Sequence, residues 1–258
     1  MVVVNSRAGQ RSNRLVVAAH AMAAAIERNE TLLLTTFDGY KSDYVCETNG
    51  ALRVVLRESR FWEFVRLAER FARFIFNFRN FSIPHVLTLA SNWNFRSPDA
   101  LCRNEDTIRR FFAPVNIEDA KQKFDAIPRA GKVLVGVHIR RTDYRTFLGG
   151  RYFYDDSVYV REMINVRDLL KSDSKDVFFI VFSDESPNES FFAELPCCFI
   201  HGSAVEDQWM MSKCDYLMGP PSTFSAWASF MGKAPLARMW NSEYQIKVGD
   251  FAYRGLEA

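Results

Sequence analysis

The stretch Lys132-Val133-Leu134-Val135-Gly136-Val137-His138-Ile139 runs straight into Arg140-Arg141-Thr142-Asp143-Tyr144, and its reading decides the fold. An apolar run of this length reads as a buried strand, with a charged cluster at its carboxyl end. Downstream, the alternation repeats. Helices are predicted over 155–171, 188–195, 206–213 and 222–231, and strands over 177–182, 198–201, 216–218 and 236–239. Strand and helix in turn specify a doubly wound, mostly parallel sheet, whose ligands bind beyond the carboxyl ends of the strands.

Working back from that stretch, the pattern weakens over 114–130, where Pro128 precedes Gly131. A domain boundary is expected there, giving 1–128 and 129–258. Val2–Val4 reads as a strand, 5–13 as a polar loop, 14–28 as an Ala-rich helix and 32–37 as a second strand. That helix is apolar almost all round, so it should be packed on both sides. A strand is predicted over 85–89 and a helix over 98–112. Between them, 59–80 alternates aromatic and arginine positions at helical spacing. Such a basic amphipathic helix can make weak contact with a membrane surface. Its plainer reading is an aromatic stripe facing the core, with a solvated arginine face.

The chain has 258 residues, enough for two domains that each bury a core, and its 23 phenylalanines predict aromatic-rich cores and clefts. A net charge of +2 gives nucleic acid no general hold, and it is not an expected partner. Cys46, Cys102, Cys197, Cys198 and Cys214 form neither a C-x-x-C zinc pattern nor an even disulfide set, so small buried thiols are expected. No charged n-region precedes Val2–Val4, and the longest apolar stretch, 15–26, is too short to span a bilayer. A cytoplasmic protein is the expectation.

Polar residues crowd the carboxyl ends of three predicted strands. Arg140 and Arg141 can grip phosphate through the fixed fork of guanidinium donors. Alternatively, they and Asp143 form a surface salt-bridge cluster, and His138 is a satisfied core residue. Ser183-Asp184-Glu185 follows the second strand and also reads as an ordinary helix cap. Gly219-Pro220-Pro221-Ser222-Thr223-Phe224-Ser225 joins a strand to a helix, where hydroxyls and free N–H groups make an anion site or a plain cap. At the N-terminus, Gly9-Gln10-Arg11-Ser12-Asn13-Arg14-Leu15 is another strand-to-helix loop, but neither a G-x-G-x-x-G nor a P-loop. No Asp-x-Asp or His/Asp/Glu cluster suggests a divalent ion, so arginine must carry the positive charge.

These residues resemble a known superfamily. Val135 to Tyr144 is similar to the H-x-R-R-x-D motif of the α1,2-/α1,6- and protein O-fucosyltransferases, and looks closest to bacterial α1,2-fucosyltransferase-like proteins. Phe182-Ser183-Asp184-Glu185 resembles the second motif. Glu206-Asp207 through Asp215, followed by Ser222-Thr223-Phe224-Ser225-Ala226-Trp227, resembles the third. Gly9 to Leu15 is similar to the family's G-x-x-x-N loop, and Trp93-Asn94-Phe95 to its aromatic patch. The resemblance implies a GT-B type α/β fold, two Rossmann-like domains facing across a cleft, with an acceptor-side N-terminal domain and a GDP-fucose-binding C-terminal one. It implies inverting, metal-independent transfer of L-fucose from GDP-fucose to a glycan hydroxyl, with no cofactor.

By matched position, Arg140 would grip the β-phosphate, and His138 and Asp207 would meet guanine or ribose. Ser183 and Asp184 would line the base pocket, while Ser222, Thr223 and Phe224 would contact the diphosphate and base. Asn13 would reach the diphosphate or fucose. Arg141 and Asp143 would orient Arg140, and Asp143 is also a candidate base, with Asp38 a second. Thr142 matches α1,6 enzymes, whereas α1,2 members more often carry Gly there and a Trp-Trp pair at Ala226-Trp227. Leu148 stands where α1,6 enzymes carry an acid. The linkage therefore stays open. Two alternatives also stay open: a GT-B enzyme using another nucleotide sugar, and a non-catalytic nucleotide- or glycan-binding protein.

Overall fold

Val2, Val3 and Val4 are buried and form β1 (Val2–Val4), the central strand of the first sheet. The computed structural model describes residues 1–5, 9–48, 52–56, 67, 81–83, 87–90, 95–171 and 176–256. After β1 come α1 (Arg11–Glu27), β2 (Leu32–Leu34), β3 (Val54–Leu56), β4 (Phe81–Ile83), β5 (Leu87–Leu89) and α2 (Pro98–Phe111). The strand order is β3-β2-β1-β5-β4, parallel throughout except for β4, which runs antiparallel to β5. In α1 the buried set runs almost unbroken from Leu15 to Ala25, which accounts for a helix apolar on every side. His20, within it, is buried, and its Nδ1 accepts the Ser97 N–H at 3.1 Å, tying α1 to the start of α2. Pro98 opens α2, where a missing N–H costs nothing.

The second sheet is built from longer strands. α3 (Glu118–Asp125) leads into β6 (Lys132–Ile139), α4 (Asp156–Leu170), β7 (Asp176–Ser183), β8 (Cys197–Ile200), α5 (Ala204–Met211), β9 (Tyr216–Gly219), α6 (Thr223–Gly232) and β10 (Leu236–Arg238). All neighbours are parallel, in the order β10-β9-β6-β7-β8. Side chains alternate between two buried layers. Leu134, Phe178, Ile180 and Phe182 face a core shared with α3, α5 and α6, while Val135, Val137, Ile139, Phe179 and Val181 face one shared with α4. Burial on both faces is why β6 and β7 read as continuous apolar runs, and each such side chain contributes roughly 1.5–3 kcal/mol. The strand order reverses between β6 and β9, which makes their carboxyl ends a topological switch point.

The chain divides into two compact units, Met1–Asn116 and Ile117–Leu256. The division thus falls before α3, rather than at the breakers Pro128 and Gly131. The reason is packing: Ile117, Ala120, Phe124 and Ile127 are buried with Met210 and Met211. The helix expected over 188–195 is a single 3-10 turn, Glu189–Phe192, capped at its start by Asn188, whose Oδ1 accepts the Ser190 N–H at 3.2 Å. Of the five free thiols expected to be buried, only Cys214 is; Cys102 is exposed and the others are half-buried. The predicted 59–80 helix and Trp93-Asn94 lie outside the described residues, apart from Leu67. Among the described residues no helix is long and apolar enough to cross a membrane.

Candidate active site

β6 aims its last residues at the switch point. His138 lies on the strand face that carries Leu134, is 3% exposed, and stacks on Phe224 of α6 with ring centroids 5.0 Å apart and planes at 24°. Its Nδ1 is buried and makes no hydrogen bond. Burial, with the Arg140 charge second, pushes its pKa down to about 3, so the ring is neutral at physiological pH. The close approach of β9 to β6 depends on Gly219, where a Cβ would stand 2.6 Å from the His138 carbonyl oxygen.

Arg140 lies one residue beyond β6, mostly buried and held from several sides. Its Nε donates to Asp143 Oδ1 at 2.8 Å and lies 3.3 Å from Asp184 Oδ2. Its guanidinium carbon stands 5.8 Å from the centroid of the Tyr144 ring. Asp184, at the carboxyl end of β7, also accepts the Arg141 backbone N–H at 2.8 Å and the Thr142 hydroxyl at 2.6 Å. One carboxylate thus clamps three consecutive residues. Arg141 points elsewhere: its Nη2 pairs with Asp156 at the start of α4, and Asp156 Oδ2 accepts the Asn188 N–H at 3.1 Å. Ser183 is spent on its own turn, with Oγ accepting the Glu185 N–H at 3.3 Å.

The third loop forms the start of α6. Ser222 Oγ accepts the Phe224 N–H at 3.1 Å, the cap that its sequence suggested, and Thr223 and Phe224 begin the helix beside it. The first turn of a helix has N–H groups without intrahelical partners and a positive dipole end, both suited to an anion. Phe224 is fixed from behind, because Gln208 Nε2 donates to its carbonyl at 3.3 Å. At the start of α5 the two acids divide their labour. Glu206 completes a capping box with Ser203. Asp207 keeps a buried Oδ1 with no hydrogen-bond partner, and Gly202 leaves room for it. Burial raises its pKa to about 7, helped by Glu206 and opposed by the Gly202 backbone and Lys123.

The sheet therefore brings together His138, Arg140, Asp143, Asp184, Ser222, Thr223 and Phe224 at the ends of β6, β7 and β9, and Arg141 is turned away onto α4. Sequence reasoning missed Tyr144 and Asp156 as site supports. Tyr144 stood inside the quoted stretch, whereas Asp156 gave no signal beyond an ordinary acidic helix start. Asn13 belongs to the N-terminal unit. It lies in the first turn of α1 and folds back over Gly9, where a Cβ would meet its Nδ2 at 1.9 Å; Gly9 also has φ +66. Beside it Arg11 pairs with Asp43 at 2.6 Å and covers the Tyr40 ring at 4.6 Å, a cluster that the sequence did not announce. The Asp38 side chain lies outside the described residues. Among the described residues no group of three or more His, Cys, Asp or Glu is placed to hold a metal ion.

The sequence profile of glycosyl transferase family 11 matches residues 77–235, which contain the clamped Arg140 and the α6 start. The chain belongs to glycosyl transferase family 11. It is a glycosyltransferase of the fucosyltransferase superfamily. Solved structures with the same fold include fucosyltransferase NodZ from Bradyrhizobium, at 15% identity over 92% of this chain and 94% of that one, with a TM-score of 0.59. A mutant of Arabidopsis thaliana FUT1 in complex with GDP matches at 13% identity over 93% of this chain and 71% of that one, TM-score 0.58. POFUT1 in complex with GDP matches at 11% over 92% and 98%, TM-score 0.54. The two parallel-sheet units are those of GT-B fucosyltransferases. No curated protein matches the sequence.

Proposed function

We propose that this family 11 enzyme transfers L-fucose from GDP-fucose to a hydroxyl of a glycan acceptor, with inversion and without a metal. The observation that carries the reading is Arg140, clamped by Asp143 and Asp184 at the switch point. A structure of NodZ α1,6-fucosyltransferase soaked with GDP-fucose shares the fold at 16% identity, which supports the donor. Sugar transfer passes through an oxocarbenium-like transition state, so GDP gains negative charge as the bond breaks. A preorganised guanidinium and the start of α6 stabilise that charge more in the transition state than in the ground state. In this reading His138, neutral and stacked on Phe224, and Asp207 face the guanine. Asp143 serves as a positioning residue, since its carboxylate is already engaged with Arg140.

The test compares Arg140 with Arg141. Arg140→Ala loses at least about a hundred-fold in kcat/KM by the magnitude of one preorganised donor, and Arg140→Lys recovers little because it lacks the bidentate fork. Arg141→Ala instead takes the counter-charge from the largely covered Asp156 and costs about 3 kcal/mol of stability. Donor hydrolysis, GDP calorimetry and urea unfolding of the three variants read this out. A folded and nearly fully active Arg140→Ala enzyme would sink the assignment.

A further inference from the structure

Tyr144 joins the two loops that meet at the switch point. Its hydroxyl donates to the Pro221 carbonyl at 2.6 Å, one residue before Ser222, the cap of α6. Its ring lies under the Arg140 guanidinium and stacks on Phe147, with centroids 5.5 Å apart and planes at 22°. The residue is only 8% exposed. The ladder between β6 and β9 ends at Val137 and Met218, so beyond it the two loops depend on contacts between their residues. The ring alone would fill this space. A buried phenol hydroxyl, by contrast, is costly unless it finds a partner, and here that partner, the Pro221 carbonyl, lies on the opposite loop.

Resting on the GDP-fucose reading of the site, we propose that Tyr144 is a positioning residue for glycosyl transfer. Its hydroxyl sets the distance between Arg140 on the β6 side and the start of α6 on the β9 side, so that both meet one departing diphosphate. The ring meanwhile supports the guanidinium from beneath. Arg140 is thereby fixed by two kinds of contact: Asp143 and Asp184 hold its Nε, and Tyr144 holds its plane and its spacing from Ser222.

Tyr144→Phe separates the two roles, because phenylalanine keeps the ring and the volume and removes only the hydroxyl. The variant loses about tenfold in kcat for donor hydrolysis with KM changed less than about twofold, since a small misplacement of a preorganised group is felt mainly in the transition state. Its melting temperature falls by no more than about 4 °C. If Tyr144 acts through Arg140, the same change made in an Arg140→Lys background costs less than about twofold further. A Tyr144→Phe enzyme with kcat within about twofold of wild type overturns the proposal, and so does full additivity with Arg140→Lys. A wild-type enzyme that turns over a different nucleotide sugar defeats the donor reading alone. The same comparison made on that sugar then still decides the role of Tyr144.

Discussion

At the residue scale, two of the residues proposed to meet the donor carry buried polar atoms without hydrogen-bond partners, His138 Nδ1 and Asp207 Oδ1. An unmet buried acceptor is costly, and a ligand bearing N–H donors relieves it. Guanine presents such donors, and in the proposed function it binds the ionised form of Asp207. Because burial raises that carboxyl to about 7, the ionised form is depleted in acid. GDP affinity should therefore fall about tenfold per pH unit below about pH 6. Asp207→Asn should lack this component, and subtracting its profile removes the titration of the diphosphate itself. Superimposable profiles between pH 5.5 and 8 would remove Asp207 from the pocket. The stability that Asp207 contributes to the unliganded protein has the opposite trend. A raised carboxyl contributes stability that is present below its unfolded value near 3.8 and lost as pH rises through about 7. His138 works in the other direction: burial holds its pKa near 3, so the stability it contributes is present above its unfolded value of 6.5 and lost as pH falls toward about 3.

At the scale of elements, the site depends on how closely β9 approaches β6. Gly219 allows it, since an added Cβ would lie 2.6 Å from the His138 carbonyl oxygen and 3.1 Å from its Cβ. Backbone cannot yield as a side-chain end can. Gly219→Ala should push the strand ends apart, cost about 1–3 kcal/mol, and weaken GDP binding by about tenfold or more through displacement of the α6 start. Gly249→Ala is the control, because nothing lies within 4 Å of the methyl it adds. Urea midpoints and GDP calorimetry of both variants check this, and a Gly219→Ala protein that binds GDP normally would show that the close approach is dispensable. The clamp at Asp184 is the second element-scale device, because it fastens the end of β7 to the loop after β6.

At the scale of the whole molecule, the proposed mechanism draws positive charge for the leaving group from arginine and a helix start. Transfer or donor hydrolysis should accordingly persist undiminished in EDTA. Complete dependence on added Mn²⁺ or Mg²⁺ would contradict the arginine-based mechanism.

The α/β alternation, the parallel second sheet and the clustering of polar residues at its carboxyl edge were legible in the sequence. They follow from local periodicity, because β6 and β7 are buried on both faces and show it as unbroken apolar runs. The order of the motifs likewise pointed to the family. Short strands such as β3 and β4 gave too few residues for a period to emerge. The helix at 118–125 was missed because eight residues with only Ala120 and Phe124 buried show too little apolar period, although Glu118, Ala120, Lys121, Gln122 and Lys123 all favour helix. Which carboxylates the two arginines pair with was equally beyond sequence, since Arg140 and Arg141 are adjacent and chemically identical. Only the parallel register that sets Ile139 against Ser183 brings Asp184 under Arg140, while Asp156 takes Arg141. Partners so far apart along the chain meet through strand pairing and helix packing, and no local pattern records it.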